Sequence, residues 1–287
     1  MKGVVLLLTG PMQSWGERAA FSDRDTLPHP TRSGIIGMIS AALGHDKTVD
    51  LSWADGLKVQ VRADQPGLVM RDFHMVGGGY KPGTGMVTAD GTPRKGSDGR
   101  PSGTITKRHY LADASFVVTI HHDDADLIDQ IAAALNAPRW PIFLGRKSCP
   151  PAHPVVLGTT TADAVTILSG LPAYATVGPP ADRSWPPATS AEPPAETDWQ
   201  SRYAELNTGD TPTGPTRQCM LYLDADQYGP TSTRTVLRDN PTSFHPNRRA
   251  YTTREVATTR VTVPAAPNGV NGWSALRAAL TELAAIN

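Results

Sequence analysis

Three short stretches of the sequence place cations or small polar residues beside turns, where they could bind phosphate groups. Two of them lie near the N-terminus, and the third ends a short apolar run with two adjacent cations. Hydroxyls, guanidinium groups and the free amides at a helix N-terminus are groups that bind phosphate oxygens. The candidate residues are Thr31, Arg32 and Ser33 in the second stretch, and Arg146, Lys147 and Ser148 in the third. Ordinary roles remain open, since helix capping would explain the second stretch and a solvated turn the third.

A glycine-rich stretch at residues 76–107 is another candidate for contact with a polyanion. The whole chain has 27 Lys and Arg against 27 Asp and Glu, but residues 71–110 hold seven Lys and Arg and only three Asp. An uncovered basic loop of this kind favours a polyanion as its partner. Arg108 and Tyr110 lie at its end, and the rings of Tyr110 and Trp15 could either stack on bases or pack in the core. Phe116 and Trp140 are predicted to be core residues.

Several classes of site are not suggested by the sequence. The cysteines, Cys149 and Cys219, are far apart, and the eight histidines form no metal-binding motif, so no metal or other cofactor is predicted. The glycines do not follow the nucleotide-triphosphate pattern. The only apolar run near the N-terminus, residues 4–8, is too short for a signal peptide or a membrane span, which predicts a cytoplasmic protein.

The elements that must position the candidate residues follow from hydrophobic periodicity. The predicted strands are 3–9, 57–63, 68–75, 111–121 and 140–144, and the predicted helices are 33–43 and 124–136. Pro66-Gly67 predicts that the second and third strands form a hairpin. The order strand, helix, hairpin with an insertion, helix, strand is typical of an α+β, ferredoxin-like domain, a fold that RNA-recognition domains share with many unrelated proteins.

The second half of the chain is predicted to form a separate part. Residues 170–197 hold seven prolines, which predicts a linker at about 170–198. Strands at 218–223, 231–237 and 251–263 and a helix at 273–286 follow it. The predicted organisation is therefore a ferredoxin-like domain at 1–165 with the insertion at 76–107, the linker, and a small β-rich region at 199–287.

Five motifs give the sequence a family resemblance. They are GPMQSWG at 10–16, PTRSG at 30–34, RDFH at 71–74, YLADASF at 110–116 and LGRKSCP at 144–150. In this order and at about this spacing, they resemble the CasD family of type I-E CRISPR Cascade, a branch of the RAMP superfamily. The similarity is strong over about residues 1–160.

The resemblance implies a non-catalytic subunit that grips the 5′ handle of the crRNA. It implies a ferredoxin-like body whose inserted thumb corresponds to residues 76–107. The implied partners are the Cascade backbone subunit and large subunit, with target DNA reached only through the complex. The implied RNA-binding residues are Gln13, Trp15, Thr31, Arg32, Ser33, Arg108, Tyr110, Arg146, Lys147 and Ser148.

Two other functions remain open at this point. A metal-independent endoribonuclease that processes CRISPR repeat RNA would need a base, an acid and a cation, which His109, Tyr110 and Lys147 could supply. A protein-only scaffold would fit the zero net charge but not the basic segments.

Overall fold

The chain forms a mixed α+β structure, and the computed structural model describes residues 1–17, 22–76, 92, 95–97, 99, 102–174, 216–224, 233–266 and 269–286. The helices are α1 (Arg32–Leu43), α2 (Ala125–Asn136), α3 (Ala164–Gly170) and α4 (Gly269–Ile286), with a 3-10 turn at Ser52–Ala54. The strands are β1 (Lys2–Thr9), β2 (Met12–Gln13), β3 (Asp23–Arg24), β4 (Lys58–Gln65), β5 (Leu68–Val76), β6 (Thr104–Ala112), β7 (Ser115–His122), β8 (Val156–Thr160), β9 (Thr216–Asp224), β10 (Thr233–Ser243) and β11 (Ala250–Pro264). Among the described residues, no helix is long and apolar enough to cross a membrane.

A seven-stranded antiparallel sheet in the order β10-β11-β9-β4-β7-β1-β8 lies at the centre of the molecule. β1 lies between β7 and β8, and its apolar side chains point alternately to the two faces. Val4 and Leu6 pack in the core formed with α1 and α2, whereas Val5 and Leu7 pack in the core formed with α3 and α4. Both faces of the sheet are therefore covered, which explains why β1 is an unbroken apolar run.

The predicted helices α1 and α2 are confirmed, and a polar side chain caps the start of each. The Thr31 hydroxyl accepts a hydrogen bond from the amide of Gly34 at 3.1 Å, and α1 ends at Gly44, whose φ of 78° favours glycine. The Asp124 carboxylate accepts hydrogen bonds from the amides of Asp126 and Leu127 and so begins α2.

The strand predicted at 111–121 is two strands in the structure. β6 ends at Ala112 and β7 begins at Ser115, and Asp113 between them has a φ of 55°. Asp tolerates this left-handed conformation better than most residues, so a tight turn interrupts the apolar run.

The predicted hairpin between β4 and β5 is wrong. β4 pairs with β7 and β9 in the large sheet, whereas β5 pairs along its whole length with β6, from Leu68↔Ala112 to Val76↔Thr104. Gly67 has a φ of 75°, and a Cβ there would lie 2.6 Å from the Ala112 carbonyl oxygen. The chain thus turns at Gly67 into a second, smaller sheet, in which β6 also pairs with β2 and β3.

The strand predicted at 140–144 is also wrong, because this segment is an irregular loop. The amides of Arg139 and Trp140 donate to the Ala42 and Ala41 carbonyls at the end of α1, and Pro141 has no amide to donate. The strand that pairs with the outer edge of β1 is instead β8. Helix α3 was not predicted from the sequence either.

The C-terminal strands extend the sheet of the first 165 residues. β9 pairs with β4, and the strands predicted at 218–223, 231–237 and 251–263 correspond to β9, β10 and β11. Most of the predicted linker lies outside the described residues, but Leu171, Ala173 and Tyr174 at its start are buried. Residues 77–91 of the predicted insertion also lie outside the described residues.

Candidate nucleic-acid interface

The covered sheet excludes one way of binding RNA. In RNA-recognition domains, an open face of a four-stranded sheet carries the aromatic rings on which bases stack. Here α1 and α2 cover one face, and α3 and α4 cover the other. A surface that binds RNA therefore has to lie on the loops or at an edge of the sheet.

An open groove of about 870 Å³ lies beside α1. The helix contributes mainly small side chains, which leave room for a ligand, and the loop after α2 and the turn between β10 and β11 contribute further lining. The residues of α1 that line it are Ser33, Gly34, Gly37, Met38, Ser40 and Ala41. Phe244 of the β10–β11 turn reaches α1 at Gly37, where an added Cβ would lie 3.8 Å from its ring.

The groove is strongly cationic. Its lining includes Arg24, Lys47, Arg146, Lys147 and Arg249 but only one carboxylate, Asp46. Lys47, Lys147 and Arg249 are exposed, and within the described residues none of them forms an ion pair. A groove whose cations lack protein partners attracts a polyanion.

Arg146 supports the groove with its guanidinium group already bound to protein. It donates hydrogen bonds to the carbonyls of His109 at 3.0 Å, Arg24 at 3.1 Å and Asp25 at 3.2 Å. It also lies over the ring of Tyr110, 4.9 Å from the centroid. Arg146 therefore joins the loop after α2 to β6 and to the segment around β3. It also lines the groove, and its contact with phosphate stays a prediction.

Arg32 is likewise bound to protein and does not face the groove. Its side chain donates to the carbonyls of Leu57 and Ala54 and to Asn240, and its amide donates to the Asp239 carboxylate at 2.8 Å. The lining of the groove does not include Arg32, and its contact with RNA stays a prediction. Its guanidinium instead joins the start of α1 to β10.

Asp239 remains ionised in this buried position because of Arg254. Burial opposes its ionisation, but the hydrogen bonds and charge of Arg254 hold the pKa of Asp239 below its ordinary value. The two side chains make contacts of 2.8 and 3.0 Å, and Arg254 also binds Asp224 at 2.7 Å. This ionic cluster fixes the C-terminal strands against α1.

Gln13 and Trp15 form the inner support of the groove. The Gln13 amide is fully buried and donates to the carbonyls of Leu8 and Ala114, while its oxygen accepts from the Trp15 indole at 3.1 Å. Trp15 is 1% exposed and packs against Gly34, where a Cβ would lie 2.7 Å from the ring. Of the two roles left open for Trp15, the structure supports core packing.

The remaining predicted contact residues differ in their access to the groove. Thr31 and Ser33 line it, with Thr31 acting as the cap of α1 and Ser33 half-buried. Lys147 also lines it. Arg108, which donates to the Thr106 hydroxyl, and Ser148 are not among the lining residues, and their RNA contacts stay predictions.

Two of the three residues considered for catalysis lie on opposite faces of one strand. His109 and Tyr110 are successive residues of β6, so their side chains point to opposite faces of that strand. The Tyr110 ring is buried beneath Arg146, and its hydroxyl accepts a hydrogen bond from Ser148 at 3.4 Å. The His109 imidazole lies 3.4 Å from Asp23. No described contact links either side chain to Lys147.

Several lining residues were missed by the sequence analysis. Lys47 and Arg249 lie in loops far from any of the motifs, and only their cationic character could have indicated them. Trp140 was predicted to be a core residue, but its side chain is exposed in the groove because the strand expected there does not form. Other missed residues include Arg24, Phe143, Phe244 and Tyr251.

Within the described part of the chain, no group of three or more His, Cys, Asp and Glu side chains could hold a metal ion. The two cysteines are buried and free. Burial raises the pKa of Cys219 to about 12, so its thiol stays protonated and unreactive near neutral pH.

The chain is similar in sequence and in structure to CRISPR-associated proteins. The family described as "CRISPR-associated protein (Cas_Cas5)" matches residues 3–257. The protein named "CRISPR system Cascade subunit CasD" of Escherichia coli (strain K12) is 34% identical over an alignment of 173 residues, and the match covers 55% of this chain and 71% of that protein.

Two solved structures extend the similarity over almost the whole chain. A chain of the structure described as "CRISPR RNA-guided surveillance complex" is 34% identical with a TM-score of 0.71, and the match covers 97% of this chain and 99% of that one. A chain described as "Crystal structure of Cas protein" is 26% identical with a TM-score of 0.57, covering 92% and 99%. These matches confirm the resemblance seen in the motifs, and the chain belongs to the Cas5 family of CRISPR-associated proteins.

Proposed function

We propose that this chain binds the crRNA of a Cascade-type surveillance complex and holds its 5′ handle in the groove beside α1. The observation that carries the proposal is the groove itself, where Lys47, Lys147 and Arg249 are exposed without an ion-pair partner among the described residues. Cations on phosphates are the main source of affinity for single-stranded RNA. The similarity to CasD supports a role in the same kind of complex.

The central part of the fold is proposed to be a ferredoxin-like RAMP domain. When the strands of the second sheet are left aside, the chain order is strand, helix, two strands, helix, strand, formed by β1, α1, β4, β7, α2 and β8. The four strands lie in the order β4-β7-β1-β8. This order supports the assignment because a split βαβ arrangement produces it. This proposed fold class is the one predicted from the sequence, with β8 as the final strand in place of the strand predicted at 140–144.

The arm formed by β5 and β6 is proposed to be the base of a thumb that contacts the backbone and large subunits. β5 is an outer strand of the second sheet and exposes large apolar side chains, as expected of a surface that another protein covers. These side chains are Leu68, Val69, Phe73 and Met75, with Ile105 on β6. Target DNA would be read by pairing with the guide RNA rather than by this chain.

The proposed role is non-catalytic. The separate orientations of His109 and Tyr110 support this part of the proposal, because metal-independent cleavage needs an acid and a base on one phosphodiester.

RNA binding measured as a function of salt tests the proposal. The parent chain, the variant with Lys47, Lys147 and Arg249 changed to Ala, and a control variant are titrated with 5′-handle RNA at several salt concentrations. The control changes Arg234, Arg260 and Arg277 to Ala, which are exposed cations outside the groove lining.

The groove variant is expected to bind more weakly, with a slope of log K against log salt reduced by about 2, since each lost phosphate contact contributes about 0.7 for a single strand. The control variant should keep the parental slope. Equal slopes for the two variants would overturn the assignment of the groove. A cut in the labelled RNA that persists in chelator, seen on a denaturing gel, would overturn the non-catalytic role.

A further inference from the structure

We propose that the indole of Trp140 is a stacking platform for one base of the bound RNA, an inference that rests on the proposed function of the groove. Trp140 is 41% exposed although it is a large aromatic residue, and it lines the groove. Among the described residues its ring has no aromatic or cation–π partner and its indole nitrogen no hydrogen bond. The five ring contacts of the described chain are all made by residues other than Trp140.

The backbone of Trp140 is held firmly against the end of α1. Its amide donates to the Ala41 carbonyl at 3.2 Å, and the preceding amide of Arg139 donates to Ala42 at 2.9 Å. The last carbonyls of a helix lack partners within the helix. These two bonds, together with the bond from the Gly44 amide to Ala41 at 3.2 Å, therefore complete the end of α1 and anchor the loop.

Close packing beneath the loop adds to this rigidity. The aliphatic part of Arg139 lies directly on Gly44, where a Cβ would be only 2.1 Å from the Arg139 Cδ. Pro141 restricts the backbone on the other side of Trp140. A ring on a backbone fixed in this way loses little conformational freedom when a ligand stacks on it.

The surroundings of Trp140 favour a nucleotide as the occupant. Lys47 and Lys147 line the same groove and can bind the phosphates that flank a stacked base, and Asp46 is the one carboxylate of the lining. An exposed aromatic ring beside unpaired cations is the arrangement by which proteins hold single-stranded nucleic acid. Such stacking tolerates any base, so Trp140 would fix the position of a nucleotide more than its identity.

Binding of a series of handle RNAs, each with one abasic nucleotide, to the parent, Trp140→Ala and Trp140→Phe tests the inference. Trp140→Ala should bind intact RNA about 5- to 100-fold more weakly, as expected for the loss of one base–aromatic stack, with the salt slope unchanged. Trp140→Phe should retain much of the affinity. An abasic nucleotide at one position should weaken RNA binding by the parent by a similar factor. The same RNA should bind Trp140→Ala little more weakly than intact RNA does, because both changes remove the same contact.

The outcomes separate the inference from the proposed function. If the parent binds with the expected salt dependence but Trp140→Ala binds equally well, the stacking platform is wrong and the groove stands. If Trp140→Ala weakens binding but every abasic RNA loses the same factor with parent and variant, Trp140 does not stack on a base and the inference is overturned. Absence of salt-dependent binding by the parent would overturn both. Thermal unfolding of each variant shows that the chain remains folded.

Discussion

The buried arginines and the groove cations of this chain carry the same charge in opposite surroundings. Arg62 is 0% exposed, and Arg32 and Arg254 are largely buried with protein acceptors on most of their nitrogens. Lys47 and Lys147 are exposed and form no ion pair with described residues. The net charge of zero therefore says little about nucleic-acid binding, because one group of cations joins parts of the fold while the other faces solvent.

Arg62 is the buried arginine whose guanidinium binds the largest number of acceptors among the described residues. It forms a bidentate pair with Asp64, at 2.5 and 3.0 Å, on the same strand. Its remaining donors bind the carbonyls of Leu168, Leu171 and Pro172 at 2.5 to 2.9 Å. This single side chain therefore fixes the end of α3 and the following residues against β4.

The largest expected change in stability follows from removing the buried Arg62 guanidinium. Arg62→Ala leaves the Asp64 charge without its partner and the three carbonyls without donors, and it should lower the free energy of unfolding by about 3–5 kcal/mol. Urea unfolding followed by far-UV circular dichroism measures the change. Arg234→Ala is the control, since its ion pair with Glu255 is exposed at 3.5 Å and contributes at most about 1 kcal/mol. Similar small losses for both variants would remove the distinction between the two kinds of cation.

Acidification should lower the free energy of unfolding by an intermediate amount, through a buried histidine. His29 lies against the Tyr222 ring, with centroids 4.0 Å apart, and burial lowers the pKa of His29. A lowered pKa means that the unfolded chain takes up a proton first, so stability is complete above the unfolded value of about 6.5 and falls as the pH decreases below it. The loss is at most about 1.4 kcal/mol per pH unit for one such histidine.

Thermal unfolding of the parent and of His29→Asn between pH 8 and pH 5 measures this contribution. Asn can donate to the Pro30 carbonyl as the His29 Nδ1 does, at 3.0 Å, but it does not titrate. The variant is expected to start with lower stability and to lose less of it on acidification. The remaining dependence should include His121, whose pKa is also lowered by burial. A pH profile parallel to that of the parent would contradict the role of His29.

The smallest expected effect on stability belongs to the groove. Changing Lys47, Lys147 and Arg249 to Ala should alter the free energy of unfolding by no more than about 0.5 kcal/mol per site, since these side chains are exposed and form no described ion pair. The same denaturation experiment as for Arg62→Ala measures it. A loss of several kcal/mol would show that these cations support the fold, and weaker RNA binding by the variant could not then be assigned to the groove.

The sequence predicted local elements well where caps and periodicity agree. Thr31 and Gly44 bound α1, and Asp124 begins α2, as expected. Prediction failed where the pairing of strands depends on distant partners: β5 follows a turn signal at Gly67 but pairs with β6, which begins near the end of the predicted insertion. The residues of β5 indicate an extended segment and carry no information about which strand lies beside it.

The candidate site was predicted in part. Ser33 and Lys147 lie in the groove as their motifs suggested, but Arg32 and Arg146 bind protein carbonyls. Trp140 is exposed although apolar neighbours suggested a buried strand. Residue type gives the chemistry that a side chain can perform, whereas the acceptors already within its reach decide whether it is free to perform it.

The sequence by itself determined the family, through five motifs in order, and the position of most helices and strands, because caps and hydrophobic periodicity act over a few neighbouring residues. The tertiary structure alone decided which cations are open to a ligand. Arg32 binds Asn240, 208 positions away, and Arg62 binds carbonyls more than 100 positions away. Such partners are brought together by the pairing of distant strands, so the difference between a buried arginine that binds protein carbonyls and a lysine exposed in the groove exists only in the folded chain.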